Sequence, residues 1–118
     1  MSDSVIYVDR FEIQDGKLAE LRQYDTDLAA LAKDQAPGVL SFHYYADDAG
    51  QRGTALIVFA DAEALDHYLE IAGPRFQRGV ELVRSTEIEL LGRPSRQAAQ
   101  VTTVYGGRVM PEIVGFDR

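Results

Sequence analysis

Few side chains in this sequence combine a polar or titratable group with an apolar setting, and those that do are the candidates for chemistry. Asp9 lies in the run Val5-Ile6-Tyr7-Val8-Asp9-Arg10-Phe11-Glu12-Ile13, a carboxylate centred in β-branched and aromatic neighbours. A carboxylate so placed must be paired, exposed or shifted in pKa. Arg10 points to the opposite face of an extended chain, so Asp9 either pairs with Arg75, Arg78 or Arg84 or serves as a base in a pocket. His43 and His67 bring the only side chains that ordinarily titrate near neutrality. His43, between Phe42 and Tyr44, either faces a cavity as a proton acceptor or makes a cross-strand or subunit contact. His67, beside Leu65, Tyr68 and Leu69, falls at the edge of an apolar helical stripe, where bonding to a carbonyl is the plainer role. Tyr7, Tyr24, Tyr44, Tyr45 and Tyr68 offer phenolic donors able to hold a substrate oxygen, or are core aromatics with a wet hydroxyl.

The rest of the composition narrows the field. There is no cysteine, which removes disulfides, thiolate catalysis, thiolate-held zinc and iron–sulfur clusters together. The two histidines and the Asp47-Asp48 turn make no recognised metal-ligand set, and Gly106-Gly107 is not a phosphate-cradling loop, so neither a metal nor a nucleotide cofactor is expected. Nothing resembles a Gly-x-Ser-x-Gly elbow. A net charge of −7 with no concentrated basic stripe disfavours nucleic acid as a partner. The start of the chain has neither the basic residues nor the apolar run of a signal peptide, and no stretch is long enough to span a membrane, so a cytoplasmic location is expected.

The elements that must position these side chains follow from periodicity. With 118 residues and 46% hydrophobic content, one folded domain is expected. Val5 to Ile13 reads as a strand; Asp15 is placed to cap a helix carrying Leu18, Leu21, Tyr24, Leu28 and Leu31 at helical spacing through Lys33. Val39 to Tyr45 and Thr54 to Ala60 form a hairpin across the polar run from Ala46 to Gly53. Asp61 precedes a second helix with Leu65, Tyr68, Leu69, Ala72, Phe76, Val80 and Val83 in its seam, interrupted at Gly73-Pro74, where a kink or restart is expected. Ser85 to Leu91 alternates as a fourth strand. Beyond a polar linker at Arg93 to Gln97, the tail reads as two extended pieces, Val101 to Tyr105 and Val109 to Val114, split by two glycines.

The order βαββαβ predicts an α+β, ferredoxin-like domain over residues 1–92, a four-stranded antiparallel sheet with both helices on one face, and a C-terminal extension over residues 93–118. The first three strands carry apolar residues in both alternation sets: Val5, Tyr7, Phe11 and Ile13 against Ile6 and Val8; Val39 and Tyr45 against Leu40, Phe42 and Tyr44. A sheet with one face in water would alternate cleanly, so the second face is expected to be covered. At this length the cover must come from a second copy, which predicts a two-fold homodimer, with the tail lying on its own subunit or crossing to the partner.

Two strings add a resemblance. Pro37-Gly38-Val39-Leu40-Ser41-Phe42-His43 opens the second strand, and Leu56 to Leu69 runs from the third strand into the second helix. With the element order, over about residues 4 to 92, they resemble the antibiotic-biosynthesis monooxygenase family of dimeric α/β barrels. That family contains cofactor-free oxygenases of quinols and polyketide-derived phenols, haem-degrading enzymes, and members with no assigned activity. The resemblance implies a dimer that oxidises a small aromatic, quinol-like or polyketide-like compound without a cofactor. Such chemistry requires a group that deprotonates a phenol or hydroquinone in a cavity closed to water and open to oxygen. Asp9, His43 and His67 are the candidates for proton transfer, and Tyr7, Tyr24, Tyr44, Tyr68, Phe59, Phe76 and Arg75 for substrate contact. Phe59 stands near where the family often has tryptophan, and Arg75 where a histidine is frequent. Asp9 lies where haem-degrading members tend to carry asparagine, a poor match to a haem-bound oxygen. A non-catalytic dimeric binding or stress-response protein of the same fold is the alternative, and haem degradation a third.

Overall fold

The computed structural model describes residues 3–118. The elements are β1 (Val5–Ile13), α1 (Leu18–Gln35), β2 (Val39–Ala46), β3 (Arg52–Phe59), α2 (Ala62–Ala72), a 3-10 turn (Gly73–Arg75), α3 (Phe76–Val80), β4 (Val83–Leu91), α4 (Arg96–Val104) and β5 (Arg108–Met110). The sheet runs β2-β3-β1-β4-β5, with every pair antiparallel except β4 and β5. The fold is therefore α+β and ferredoxin-like, but its sheet is five-stranded and mixed where the sequence predicts four antiparallel strands.

The difference lies in the tail. Of Val101 to Tyr105, expected to be extended, Val101 to Val104 form the second half of a helix and Tyr105 follows its end. Its start explains why: Ser95 accepts a hydrogen bond from the Ala98 amide at 3.1 Å, and Arg96-Gln97-Ala98-Ala99 favours helix behind that cap. The β-branched residues that suggested a strand are accommodated by back-bonding, Thr102 to the Ala98 carbonyl and Thr103 to the Ala99 carbonyl. A helix between two strands makes a crossover unit, so β5 joins β4 in parallel. The strand then stops at Met110, because Pro111 has no amide to continue a ladder. Ala98 is buried in the core cluster and Val109 packs against it, so the C-terminal extension lies on its own subunit over these residues.

Other junctions follow the sequence more closely. Asp61 caps α2 by accepting from the Ala64 amide at 2.8 Å. Gly73-Pro74 breaks the helix into a 3-10 turn and the short α3. Asp15, in contrast, caps nothing: Asp15-Gly16 forms a turn with Gly16 at φ +74°, and α1 begins after Lys17 without a side-chain cap. Gly38 lets β2 pass beneath α2, since a Cβ there would stand 2.4 Å from that of Ala64.

Register assigns the two faces of the sheet. Val5, Tyr7 and Asp9 lie opposite Phe59, Ile57 and Ala55, and Tyr44 lies opposite Ala55, all on the face that bears the helices. Two apolar clusters fill that side. One gathers Leu28, Ala32, Phe59, Leu65 and Leu90; the other Phe11, Ile13, Leu21, Ala55 and Leu82. Tyr7, Tyr24 and Tyr44 pack against both, so a layer of phenols separates two greasy halves.

The outer face carries Ile6, Val8, Leu56, Val58, His43 and Tyr45, with Arg10 and Arg108 paired to Glu87 and Glu89 at 3.3–3.5 Å. It is a mixed surface with an apolar centre.

Candidate functional site

The phenol layer is where the sequence-derived candidates converge. Along β1 the Tyr7 hydroxyl donates to Asp9 Oδ2 at 2.9 Å, a contact made possible because residues two apart on a strand share a face. Asp9 Oδ1 is buried and receives no hydrogen bond among the described residues. Burial raises the Asp9 pKa from the ordinary aspartate range, with the nearby Ser85 and Tyr7 hydroxyls acting in the other direction. Among the described residues no arginine pairs with this carboxylate. Arg78 pairs with Glu20 and, at 2.8 Å, with Glu81, while Arg84 pairs with Glu12. Of the two readings the sequence leaves open, ion pairing is thus the one these contacts do not realise.

Tyr44 enters the layer from β2, stacked on Phe42 with ring centroids 5.1 Å apart and tilted towards Phe11 at 6.3 Å. Burial holds the Tyr7 and Tyr44 hydroxyls well above the usual phenol range, and the carboxylate of Asp9 adds to both effects. Tyr68, from α2, is buried between Phe59 at 5.5 Å and Phe76 at 6.3 Å, and burial raises its pKa too. Tyr24, from α1, donates to the Arg75 carbonyl at 3.1 Å, tying that helix to the turn after α2. Arg75 therefore contributes its backbone here, and its exposed guanidinium counters the burial that raises Tyr24. All four tyrosines are neutral donors at physiological pH, suited to binding an oxygen rather than removing a proton.

A cleft of about 610 Å³ between α1 and the edge strand β2 meets this layer at Tyr44. Leu18, Leu21, Asp25 and Ala29 form its helix wall, Phe42 and Tyr44 its strand wall, and Asp47 and Asp48 stand at one end. Its volume is in the range that accommodates a small polycyclic molecule.

Asp25 is the residue that sequence reasoning missed. Its Oδ1 is buried without a partner among the described residues, and burial lifts its pKa to about 7. The signal was present: Leu18, Leu21, Asp25, Leu28 and Ala32 follow alternating steps of three and four, which puts an aspartate where the helix expects an apolar residue.

The structure does not bring either histidine to Asp9. His43 is exposed and belongs to the outer face, stacked near Tyr45 at 6.1 Å; it touches the cleft only where the cleft laps over the edge of β2. Its neighbour Tyr44 takes the inward position, and strand alternation allows only one of the two to do so. His67 is exposed and its Nε2 lies 2.9 Å from the Gln35 carbonyl, the boundary role the sequence suggests. It clamps α2 to the end of α1. Phe59 is core rather than cleft wall, and Phe76, about a third exposed, flanks Tyr68 from outside. Among the described residues no helix is long and apolar enough to cross a membrane.

No protein-family model matches this chain, and no curated protein sequence matches it significantly. Solved structures do. MupZ from Pseudomonas fluorescens superimposes with a TM-score of 0.83 at 16% identity, covering 99% of this chain and 96% of that one, so its fold extends through the C-terminal segment. SnoaB, a cofactor-independent oxygenase from Streptomyces nogalater, matches with a TM-score of 0.67 at 25% identity over 80% of this chain and 96% of its own. A candidate antibiotic biosynthesis monooxygenase from Bacteroides thetaiotaomicron matches with a TM-score of 0.62 at 21% identity, over 75% and 85% of the two chains. The chain shares the fold of these proteins, the fold that the resemblance implies.

Proposed function

We propose that this protein is a cofactor-independent monooxygenase acting on a small aromatic compound of quinol, anthrone or polyketide type. The reading is carried by one observation: a layer of tyrosines with two carboxylates, Asp9 and Asp25, each of which has one buried oxygen without a hydrogen bond among the described residues, beside a cleft large enough for such a ligand. An oxygenase without flavin, haem or metal must take its electrons from an ionised substrate, so it needs a proton acceptor and neutral donors in a dry site. The interior supplies both. Phe42 and Tyr44 provide aromatic faces for a planar ring, and the Tyr44 hydroxyl is a donor for a developing oxyanion. For an anthrone, the methylene carbon becomes a carbonyl, one oxygen atom of dioxygen staying in the product and the other leaving as water.

The working unit is a homodimer. The outer sheet face, with Ile6, Val8, Leu56 and Val58 at its centre and Tyr45 57% exposed, is the surface a second copy would cover.

Oxygen consumption by the purified protein against a panel of hydroquinones and anthrones tests the activity. Uptake above that of a protein-free control supports it. Tight binding of the same compounds with no uptake would leave a ligand-holding protein instead.

A further inference from the structure

We propose that Asp25 is the proton acceptor of the cleft, taking a proton from a hydroxyl of a bound hydroquinone or from the enol hydroxyl of a bound anthrone, whose anion carries charge onto the methylene carbon, while Asp9 serves deeper in the core. This rests on the oxygenase reading above and adds to it the residue that starts the reaction. In the step, the substrate O–H bond breaks, its electron pair stays on the aryl oxygen, and the proton bonds to an Asp25 carboxylate oxygen. No oxidant is consumed until dioxygen, the co-substrate, meets the resulting phenolate.

Position separates the two carboxylates. Asp25 lines the cleft itself, one helical turn from Leu21 and one from Ala29, whereas Asp9 is not part of the lining and is held by Tyr7 on the central strand. A ligand entering between α1 and β2 meets Asp25 first. The groups around it leave it free for the task. From α1 come Arg22 and Tyr24; from β2 come Tyr44 and, at the rim, His43 and Tyr45; from the following loop come Asp47 and Asp48; from α2 comes Tyr68. None donates a hydrogen bond to Asp25 Oδ1. Tyr24, Tyr44 and Tyr68 all feel its charge, so ionising Asp25 makes those phenols still harder to deprotonate and preserves them as donors.

Burial also brings Asp25 close to the optimum for a base at neutral pH, at about 7. Asp47 at the cleft end goes the other way, held below the usual range by the Gln51 and Arg52 amides, and stays ionised. Two carboxylates pushed apart in this manner mark different roles.

The test is the pH–rate profile of oxygen uptake with 1,8-dihydroxyanthrone, for wild type, Asp25→Asn and Asp25→Glu, each first checked for folding by circular dichroism. Wild type is expected to lose rate as pH falls through about 7. Asp25→Asn is expected to be slower by about 100-fold or more and to lack that acidic limb, and Asp25→Glu to keep a limb at a shifted pH. An Asp25→Asn protein with the wild-type rate and limb overturns the role of Asp25 and leaves the oxygenase reading intact. A wild type showing no uptake with any anthrone or hydroquinone sinks that reading, and this inference with it. If Asp25→Asn does not fold, a wild-type profile flat across pH 7 overturns the proposal without it.

Discussion

The Tyr7 hydroxyl donates to Asp9 Oδ2 at 2.9 Å, two residues along one face of the central strand. The contact gives a buried carboxylate one good partner and leaves its other oxygen without any among the described residues. Replacing Tyr7 by Phe removes the 2.9 Å donor and leaves only the nearby Ser85 hydroxyl beside the carboxylate, and is expected to destabilise the protein by about 1–3 kcal/mol, the usual cost of an unsatisfied buried acceptor. Combining it with Asp9→Leu should restore much of that loss, because both polar partners are then gone. Denaturant midpoints of the single and double variants measure it, and a double variant no better than Tyr7→Phe would contradict the pairing.

Asp25 couples stability to pH. Its carboxyl pKa is about 7 in the fold against 3.8 for the free side chain, so the folded state favours the protonated form. The stability linked to this group is fully present below pH 3.8 and is lost as pH rises towards about 7. Asp9, raised in the same direction by burial, adds to the trend. Asp25→Asn is expected to be more stable than wild type at pH 8, with the gap closing on acidification to pH 4. A gap independent of pH would mean that the carboxyl is not perturbed.

His67 has a structural part. Changing it to Ala removes the bond to the Gln35 carbonyl and should cost about 1 kcal/mol of stability, leaving the pH dependence of oxygen uptake unchanged. His43→Ala is expected to leave uptake unchanged at saturating substrate, since the ring lies on the outer face, and to weaken self-association in sedimentation if that face is the subunit contact.

Ser95 tests the incorporation of the C-terminal segment. Its hydroxyl oxygen accepts from Ala98 and its hydroxyl donates to Asp66 at 2.8 Å, joining α4 to α2. Ser95→Ala is expected to lower stability by about 1 kcal/mol and to speed amide exchange across α4 before any other helix.

Much of this arrangement was legible from spacing. The β1 and β3 alternation, the Asp61 cap and the Gly73-Pro74 break each rest on local chemistry that the fold keeps. The side taken by His43 was not. Val39 pairs with Phe59 and Ser41 with Val58, so an extra residue at Leu40 shifts the alternation, turning Phe42 and Tyr44 inward and His43 outward. A bulge has no signature in a single apolar strand, and one slipped residue exchanges the faces. Asp25 was hidden for a different reason: Tyr24 beside it fits the helical seam equally well, and only packing shows that both are used. The tail misled because Val101 to Val104 has strand-favouring residues whose conformation is decided upstream, at Ser95.

The central claim is that the aromatic ligand enters between α1 and β2 and reaches the tyrosine layer. Anaerobic titration of the isotopically labelled protein with 1,8-dihydroxyanthrone, followed by amide chemical shifts, addresses it before any turnover. The account predicts saturable shifts concentrated at Leu21 to Ala29 and at Phe42 to Asp48, reduced in Tyr44→Ala. Shifts confined to Ile6, Val8, Leu56 and Val58 on the outer face, or none at all, would contradict it.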